Sequence, residues 1–333
     1  MKQSPLISVI MSVYNGAAFV EEAVNSILKQ TYKNVEFIIF DDGSSDACPE
    51  ILQRLAQSDS RIRLTIQQNC GIPVTANRMI AQASGDFIAL MDHDDFKHPD
   101  CIARQVTYLE NNPKCVAVGA LSQTVNALGE NLKRRNKLSY KLRPYARRLP
   151  NFSSFPPEIP SITNPSALIR ASAMREVGGY RENLIYAHDF DLWFRLSEVG
   201  EIHQINRELI NYRVHGNNTT VTKRLDIIRF EIIVVLSALC RHHYFDDRAV
   251  IGNFGGSSNF DDTLSHYSEI LGAVFPVDTF VLFKAVGARL PALVNEADQA
   301  SLTRRTLDHV GRGGITLPKL KLLRRLVSRS VWP

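Results

Sequence analysis

Short, almost uninterrupted apolar runs at residues 6–12, 35–40 and 87–91 punctuate the first part of the chain. Such runs are typical of strands buried on both faces of a sheet. A weaker run at 61–67 reads as an edge strand. Between these runs, apolar positions recur at helical spacing over 19–29, 49–57 and 73–83. The order β-α-β-α-β-α-β predicts a parallel sheet with helices on both faces. A further helix is expected over 99–111, with Pro99 in its first turn, and a further apolar run follows at 116–121.

The alternation then fades. Residues 130–165 are basic and rich in proline, a composition that fits either a functional loop or a disordered one. From residue 222 the patterns are helical, over 223–243, 263–274, 278–290 and 297–309, so a boundary is expected near 220. The segment 227–240 is apolar but interrupted by Arg229 and Glu231, which favours a buried helix over a membrane span.

Composition narrows the class. Of 333 residues, 44% are hydrophobic and 22% charged, as in ordinary globular proteins. The net charge of +5 is unevenly spread, because eight basic residues and no acid lie in 133–148 and six more, again without an acid, in 311–333. Such stretches suit anionic lipid, phosphorylated substrates or nucleic acid. They match no recognised nucleic-acid-binding module, so a nucleic-acid partner is not expected. The five cysteines are widely spaced and show no zinc or Cys-x-x-Cys pattern, which points to a reducing compartment. The first apolar run is too short for a signal-peptide core, and a cytoplasmic location is expected.

Chemistry concentrates at three strand ends: Ser12-Val13-Tyr14-Asn15-Gly16, Asp41-Asp42-Gly43-Ser44-Ser45-Asp46 and Asp92-His93-Asp94-Asp95. In open α/β sheets ligands bind at the carboxyl ends of the strands, where these clusters would meet. Carboxylates crowded in this way repel one another, and Mg²⁺ or Mn²⁺ bound to them, carrying phosphate oxygens, would relieve the repulsion. Taken singly, each cluster is also explained by a turn or a helix cap.

Several segments together resemble the inverting family 2 glycosyltransferases, which have the GT-A fold. They are Ile7-Ser8-Val9-Ile10-Met11-Ser12-Val13-Tyr14-Asn15, Phe40-Asp41-Asp42-Gly43-Ser44-Ser45-Asp46 and the stretch from Gly85 to Asp95. Gly178-Gly179-Tyr180, His188-Asp189-Phe190-Asp191-Leu192-Trp193 and Tyr212-Arg213-Val214-His215-Gly216 continue the match in order. The resemblance implies an α/β fold, a GT-A-like Rossmann-type mixed sheet flanked by helices, with a mainly helical C-terminal extension. It implies a glycosyltransferase domain over 1–220, its nucleotide-binding half at 1–95 and its acceptor-binding half at 96–220, followed by a helical region at 221–333.

Carried over by position, the resemblance places Ser12 and Tyr14 on the nucleotide and gives Asp42 a hydrogen bond from a uracil or thymine imide. Asp92 then lies near the ribose, Asp94 and His215 hold Mn²⁺ or Mg²⁺, and Asp189 is the catalytic base. Asn77 and Arg78 are placed toward the donor, with a structural helix face as the alternative. Arg213 is placed toward phosphate, and for His215 and Arg213 alike packing at a strand end is the alternative. Gly179 and Tyr180, like Asn164-Pro165-Ser166, fall on the acceptor side. The family usually has Glu before the base, whereas His188 stands there in this chain.

The implied reaction moves a sugar from a UDP-type or dTDP-type donor to a hydroxyl of a glycan or lipid-linked acceptor, as in cell-surface polysaccharide synthesis. The tail from Leu317 to Trp332 mixes apolar and cationic positions at roughly helical spacing and suits the inner face of an anionic membrane; a basic helix packed on its own domain is the alternative. A sugar-nucleotide nucleotidyltransferase would need a Gly-rich, basic phosphate loop where Tyr14-Asn15-Gly16 stands. The four aspartates Asp42, Asp92, Asp94 and Asp189 argue against a catalytically silent nucleotide-sugar-binding scaffold.

Overall fold

A computed structural model describes residues 4–132 and 162–242, together with Asp247, Arg248, Ile251 and Phe254. The chain divides into two units, Met1–Leu149 with Pro160–Asn218, and Pro150–Ile159 with Thr219–Pro333.

The first unit runs β1 (Ile7–Val13), α1 (Val20–Leu28), β2 (Val35–Asp41), α2 (Cys48–Ser58), β3 (Ile62–Ile66), α3 (Ile72–Gln82) and β4 (Phe87–Asp92). These elements match the sequence pattern to within one residue at each end. Then come β5 (Phe96–Lys97), α4 (Cys101–Asn111), β6 (Cys115–Val125), a 3-10 turn (Asn164–Ser166), β7 (Leu168–Arg170), α5 (Ala171–Glu176), α6 (His188–Val199) and β8 (Glu201–Arg213). The strands form one sheet in the order β3-β2-β1-β4-β7-β6-β8-β5. Strands β1 to β4 are mutually parallel, β7 is antiparallel to both β4 and β6, and β8 runs parallel to β6, so the sheet is mixed.

Side chains alternate across a strand, and here each face acquires its own core. Ile7, Val9, Met11 and Val13 of β1 pack with Val24 and Ile27 of α1, Leu52 of α2 and Val106 of α4. Ile10 of β1 instead joins Ile38 and Phe40 of β2, Met79 of α3, Met174 of α5 and Trp193 of α6 on the other face. Burial on both faces is why these strands read as continuous apolar runs rather than as alternating ones.

One expected boundary is corrected. The helix predicted from Pro99 begins at Cys101. Phe96 and Lys97 pair instead with Asn211 and Ile210 of β8, and His98 N–H donates to the Leu209 carbonyl at 2.8 Å. The Pro99 carbonyl accepts from Thr31 N–H at 2.8 Å, so Pro99 lies outside the helix.

The second unit contains α7 (Thr219–Thr222) and α8 (Arg224–His242), the latter on the expected segment 223–243. Phe230, Ile233, Val234 and Ala238 of α8 are buried at helical spacing, and the Phe230 ring meets Phe254 edge-on at 4.7 Å. Among the described residues no helix is long and apolar enough to cross a membrane. The helices expected at 263–274, 278–290 and 297–309, the basic stretch at 133–148 and the tail from Leu317 lie outside the described residues.

Candidate active site

Register brings the three polar strand ends side by side. Ser12 pairs with Phe40 on one side and Asp92 on the other, and Val13 pairs with Asp41. The turns that follow are tied together. Asn15, held at φ 51°, donates its N–H to Ser44 Oγ at 2.9 Å, and its Oδ1 accepts Ser45 N–H at 2.8 Å. Asp46 takes Ala17 N–H on one oxygen and Cys48 N–H on the other, joining this turn to the first residue of α2. These contacts leave the Tyr14 side chain half exposed at the rim.

Asp42 is buried. Its Oδ1 accepts Gln67 Nε2 at 2.7 Å and Cys70 N–H at 3.0 Å, and its Oδ2 accepts Gly71 N–H at 2.9 Å. Burial pushes this carboxyl up, but the hydrogen bonds from Gln67 and Cys70 outweigh it and hold it below the usual carboxylate range. Arg78 reaches the same network by donating to Gln67 Oε1 at 2.8 Å. Asp42 therefore organises the loop between β3 and α3.

The acidic corner after β4 is differentiated residue by residue. Asp92 Oδ1 accepts Asn164 Nδ2 at 3.2 Å. Burial, and next the Asp94 charge, push Asp92 up to about 7. His93 packs against Gly16, where an added Cβ would come within 2.1 Å of the imidazole. Asp94 Oδ2 faces His215 Nε2 at 3.0 Å and Asn218 Nδ2 at 3.3 Å. Asp95 is buried, accepts Arg213 N–H at 2.8 Å on Oδ1, and has no partner for Oδ2 among the described residues. Burial, reinforced by Asp92 and Asp94, raises the Asp95 carboxyl well above the usual range.

Arg213, expected to face phosphate, is 2% exposed. Its guanidinium donates to the Asp94 carbonyl at 2.8 Å, the Ala127 carbonyl at 2.7 Å and the Glu22 carboxylate. It stands between the Phe19 and Phe96 rings, 4.9 and 5.2 Å from their centroids. The residue is a strut beneath the acidic turn. Of the two readings the sequence left open, packing at the strand end is the one the structure adopts.

Asn77 and the glycine pair also change meaning. Asn77 Nδ2 donates to the Tyr180 carbonyl and its Oδ1 accepts Tyr180 N–H, both at 2.8 Å. Its side chain clamps α3 to the turn at Tyr180. Gly178 and Gly179 have φ of 75° and 69°. A Cβ on Gly179 would fall 2.5 Å from Asn77 Oδ1, so this glycine makes room for the clamp. Below it, buried Arg195 donates to the Val177 and Gly179 carbonyls at 2.7 Å and pairs with Asp191 at 2.7 Å. Asp191 and Arg195 sit one turn apart on α6, a pairing the sequence spacing allows but does not single out.

Asp189 lies in the first turn of α6, where the exposed N–H groups of the helix end favour a carboxylate. Its Oδ1 accepts Phe190 N–H at 2.8 Å. The helix is entered through Ala187 at φ 53°, an uncommon conformation for a residue with a side chain. Burial lowers the neighbouring His188 imidazole, against the pull of Asp189. The His188 ring meets Tyr180 edge-on at 5.5 Å. Tyr180 is buried, and its phenol is raised by burial and then by Asp189 and Asp92. Asp92 in turn feels Asp189, so the strand-end acid and the α6 acid share one electrostatic neighbourhood.

Asp94 and His215 offer one oxygen and one nitrogen to a divalent cation. The 3.0 Å between Asp94 Oδ2 and His215 Nε2 is about the spacing of neighbouring ligands on an octahedral cation with bonds near ~2.1 Å. Among the described residues no group of three or more His, Cys, Asp or Glu is arranged around one point. A two-ligand corner of this kind fits a cation that completes its shell with substrate phosphate and water.

Known proteins agree with this geometry. Residues 8–178 match the model of glycosyl transferase family 2. An uncharacterized glycosyltransferase of Rickettsia typhi is 32% identical over 240 residues, covering 70% of this chain and 72% of the relative. Chondroitin synthase of Escherichia coli is 29% identical over 227 residues, 68% of this chain but only 31% of the synthase. The structure of S. aureus TarS 1–349 in complex with UDP-GlcNAc superposes with a TM-score of 0.59 at 15% identity, covering 92% of this chain and 89% of TarS 1–349. That last likeness shows the GT-A fold alone. Matched over half its length by the family model, with its strand ends aligned as the motifs required, the chain belongs to glycosyltransferase family 2.

Proposed function

We propose that this glycosyltransferase is a metal-dependent, inverting enzyme that moves a sugar from a UDP-type or dTDP-type donor to a hydroxyl of a glycan or lipid-linked acceptor in cell-surface polysaccharide synthesis. The observation that carries the reading is the corner where Ser12 and Asp92 pair in register beside the Asp94–His215 couple. The UDP-GlcNAc bound by TarS and the chondroitin synthase likeness support the donor class and the saccharide acceptor. Family membership leaves the nucleotidyltransferase reading without support, and Asp42, Asp92, Asp94 and Asp189 argue against a silent scaffold.

The residues divide the work. Tyr14 offers an exposed ring face to a base. Asp42 fixes the loop beside the base, and a lone pair left on its Oδ2 accepts the imide. Asp92 faces the ribose, while Asp94 and His215 hold Mn²⁺ or Mg²⁺. A cation held there stabilises the charge that develops on the leaving diphosphate. Asp189 keeps one oxygen on Phe190 N–H, which orients the other to take the proton of the acceptor hydroxyl as that oxygen attacks the anomeric carbon. Attack from the face opposite the diphosphate gives one displacement and inverted configuration. The Asn77 clamp and the Arg195 strut hold the Gly178–Tyr180 turn on the acceptor side.

The experiment is a calorimetric panel of nucleotide sugars with Mn²⁺ and with EDTA. UDP or dTDP sugars should bind in Mn²⁺, with binding lost in EDTA and in Asp94→Ala. Donor binding and sugar transfer that both survive EDTA and Asp94→Ala would refute the metal assignment.

A further inference from the structure

Lys97 has no part in the roles above, yet it is buried beside them, 3% exposed. Lysine is almost never fully buried unless its charge is matched. Its Nζ donates to the Pro165 carbonyl. The preceding residue, Asn164, donates its side-chain amide to Asp92 Oδ1 at 3.2 Å. Lys97 and Asp92 therefore grip the same dipeptide from two strands. The Lys97 backbone is fixed as well, with its N–H on Ser26 Oγ at 3.1 Å and its strand paired to Ile210 of β8. Burial lowers the ammonium, while Cys101, Asp92 and Asp95 draw it back toward its charged form. An acidic turn with carboxylates at Asp92, Asp94 and Asp95 thus has a buried amino group tied to the dipeptide that Asp92 also holds.

We propose that Lys97 is a fixed counter-cation of the donor site. Tied to Pro165 next to the Asn164 that Asp92 holds, it holds the acidic turn in shape and weakens that turn's grip on a divalent cation. The cation–nucleoside diphosphate product is then released readily, a step that limits turnover in many enzymes. The inference rests on the metal-dependent glycosyltransferase reading of the site. By Coulomb's law, an ammonium and a divalent cation as far apart as about 10 Å in a medium of effective dielectric ~20 repel by roughly 3 kcal/mol, enough to change affinity tenfold or more.

The test is calorimetric titration of MnCl₂ and UDP into the full chain at pH 8, comparing the unmodified protein with Lys97→Met, Lys97→Gln and Lys97→Arg. Loss of the charge in Met and Gln should tighten Mn²⁺–UDP binding about tenfold or more, and Arg should leave it unchanged. UDP should also become a stronger product inhibitor of the two uncharged variants in Mn²⁺. A role in packing alone would leave affinity unchanged or weaken it, and either result would overturn the proposal. Rescue by Gln alone would do the same, because Gln keeps a donor for Pro165 without the charge. An uncharged variant that folds only in Mn²⁺ supports the proposal, since the metal then supplies the missing charge; one that folds in neither condition overturns it. If the unmodified protein binds no UDP in Mn²⁺, the reading of the site fails together with the proposal. If it binds and the variants match it, only the Lys97 proposal fails.

Discussion

Arg213→Lys separates a strut from a phosphate ligand. The substitution keeps the charge and removes the planar fork. In the structure that fork spans the Asp94 carbonyl, the Ala127 carbonyl and Glu22, with aromatic rings on both sides. A lysine ammonium can retain one of these partners, which leaves at least one buried acceptor unmatched. Each hydrogen bond from a charged donor is worth about 1.5–3 kcal/mol, and each ring contact about 0.5–2 kcal/mol. These contributions overlap, so the whole is closer to the ~3–5 kcal/mol typical of breaking a buried charge network than to their sum. For a unit of roughly 200 residues, at about 2–4 °C per kcal/mol, Tm should fall by about 6–20 °C. Differential scanning fluorimetry reads the loss, and calorimetry well below the transition reads UDP affinity in Mn²⁺. UDP binding should weaken less than about tenfold, because the Arg213 guanidinium meets the acidic turn at the Asp94 backbone carbonyl and its N–H to Asp95 is kept in the lysine. An unchanged Tm with UDP binding abolished would mean that Arg213 contacts phosphate, and the strut would be refuted.

Asp189→Asn should lower kcat about 10²–10⁴-fold with UDP affinity in Mn²⁺ preserved; transfer at the unmodified rate would remove Asp189 as the base. Gly179→Ala combines a left-handed φ of 69° with a Cβ 2.5 Å from Asn77 Oδ1. It should cost about 2–4 kcal/mol in denaturant unfolding, and a neutral result would mean that the clamp is dispensable. Asp42 has its folded pKa depressed, so its contribution to stability is present above the ordinary carboxylate range and is lost as pH falls through the folded value. Asp42→Asn, which sets an amide donor against either the Cys70 or the Gly71 N–H, should cost about 1–3 kcal/mol at pH 7. The gap between the two proteins should close below about pH 4, and a pH-independent gap would contradict this account.

The nucleotide-binding half was legible because burial is collective. Many residues contribute to each apolar run, and no single exception shifts the pattern of β1, β2 or β4. The strand-end motifs inherit that clarity, since parallel pairing in register places Ser12, Asp41 and Asp92 at one edge once the strands are known. Pro99 misled because its ring geometry suits a helix start, whereas pairing of 96–97 with a strand more than a hundred residues away decided the segment. Asn77, Arg213 and Lys97 were harder still. Each is one polar residue whose partner lies far along the chain, 103 residues away for Asn77 and Tyr180 and 191 for Arg213 and Glu22. Such pairs leave no periodic trace in the sequence.

The position of His215 shows what periodicity cannot supply. The register of β8 on β6 slips between Ala120 and Leu121 and again between Leu121 and Ser122, and it closes with Val125 opposite Arg213. In a strand, a slip of one residue turns every later side chain to the other face. Without these irregularities Arg213 and His215 would share a side different from the one that meets Asp94 and the Phe19 ring. Asn206 and Arg207 make up a two-residue slip, which keeps the faces as they were, and Leu209 makes up the one-residue slip that turns them. The positions of Ser12, Asp42, Asp92 and Asp94 at the ends of the parallel strands thus follow from hydrophobic pattern, while the His215 that meets Asp94 depends on a bulge in a strand more than a hundred residues downstream. That dependence explains why the motif around His215 is informative only together with the fold that delivers it.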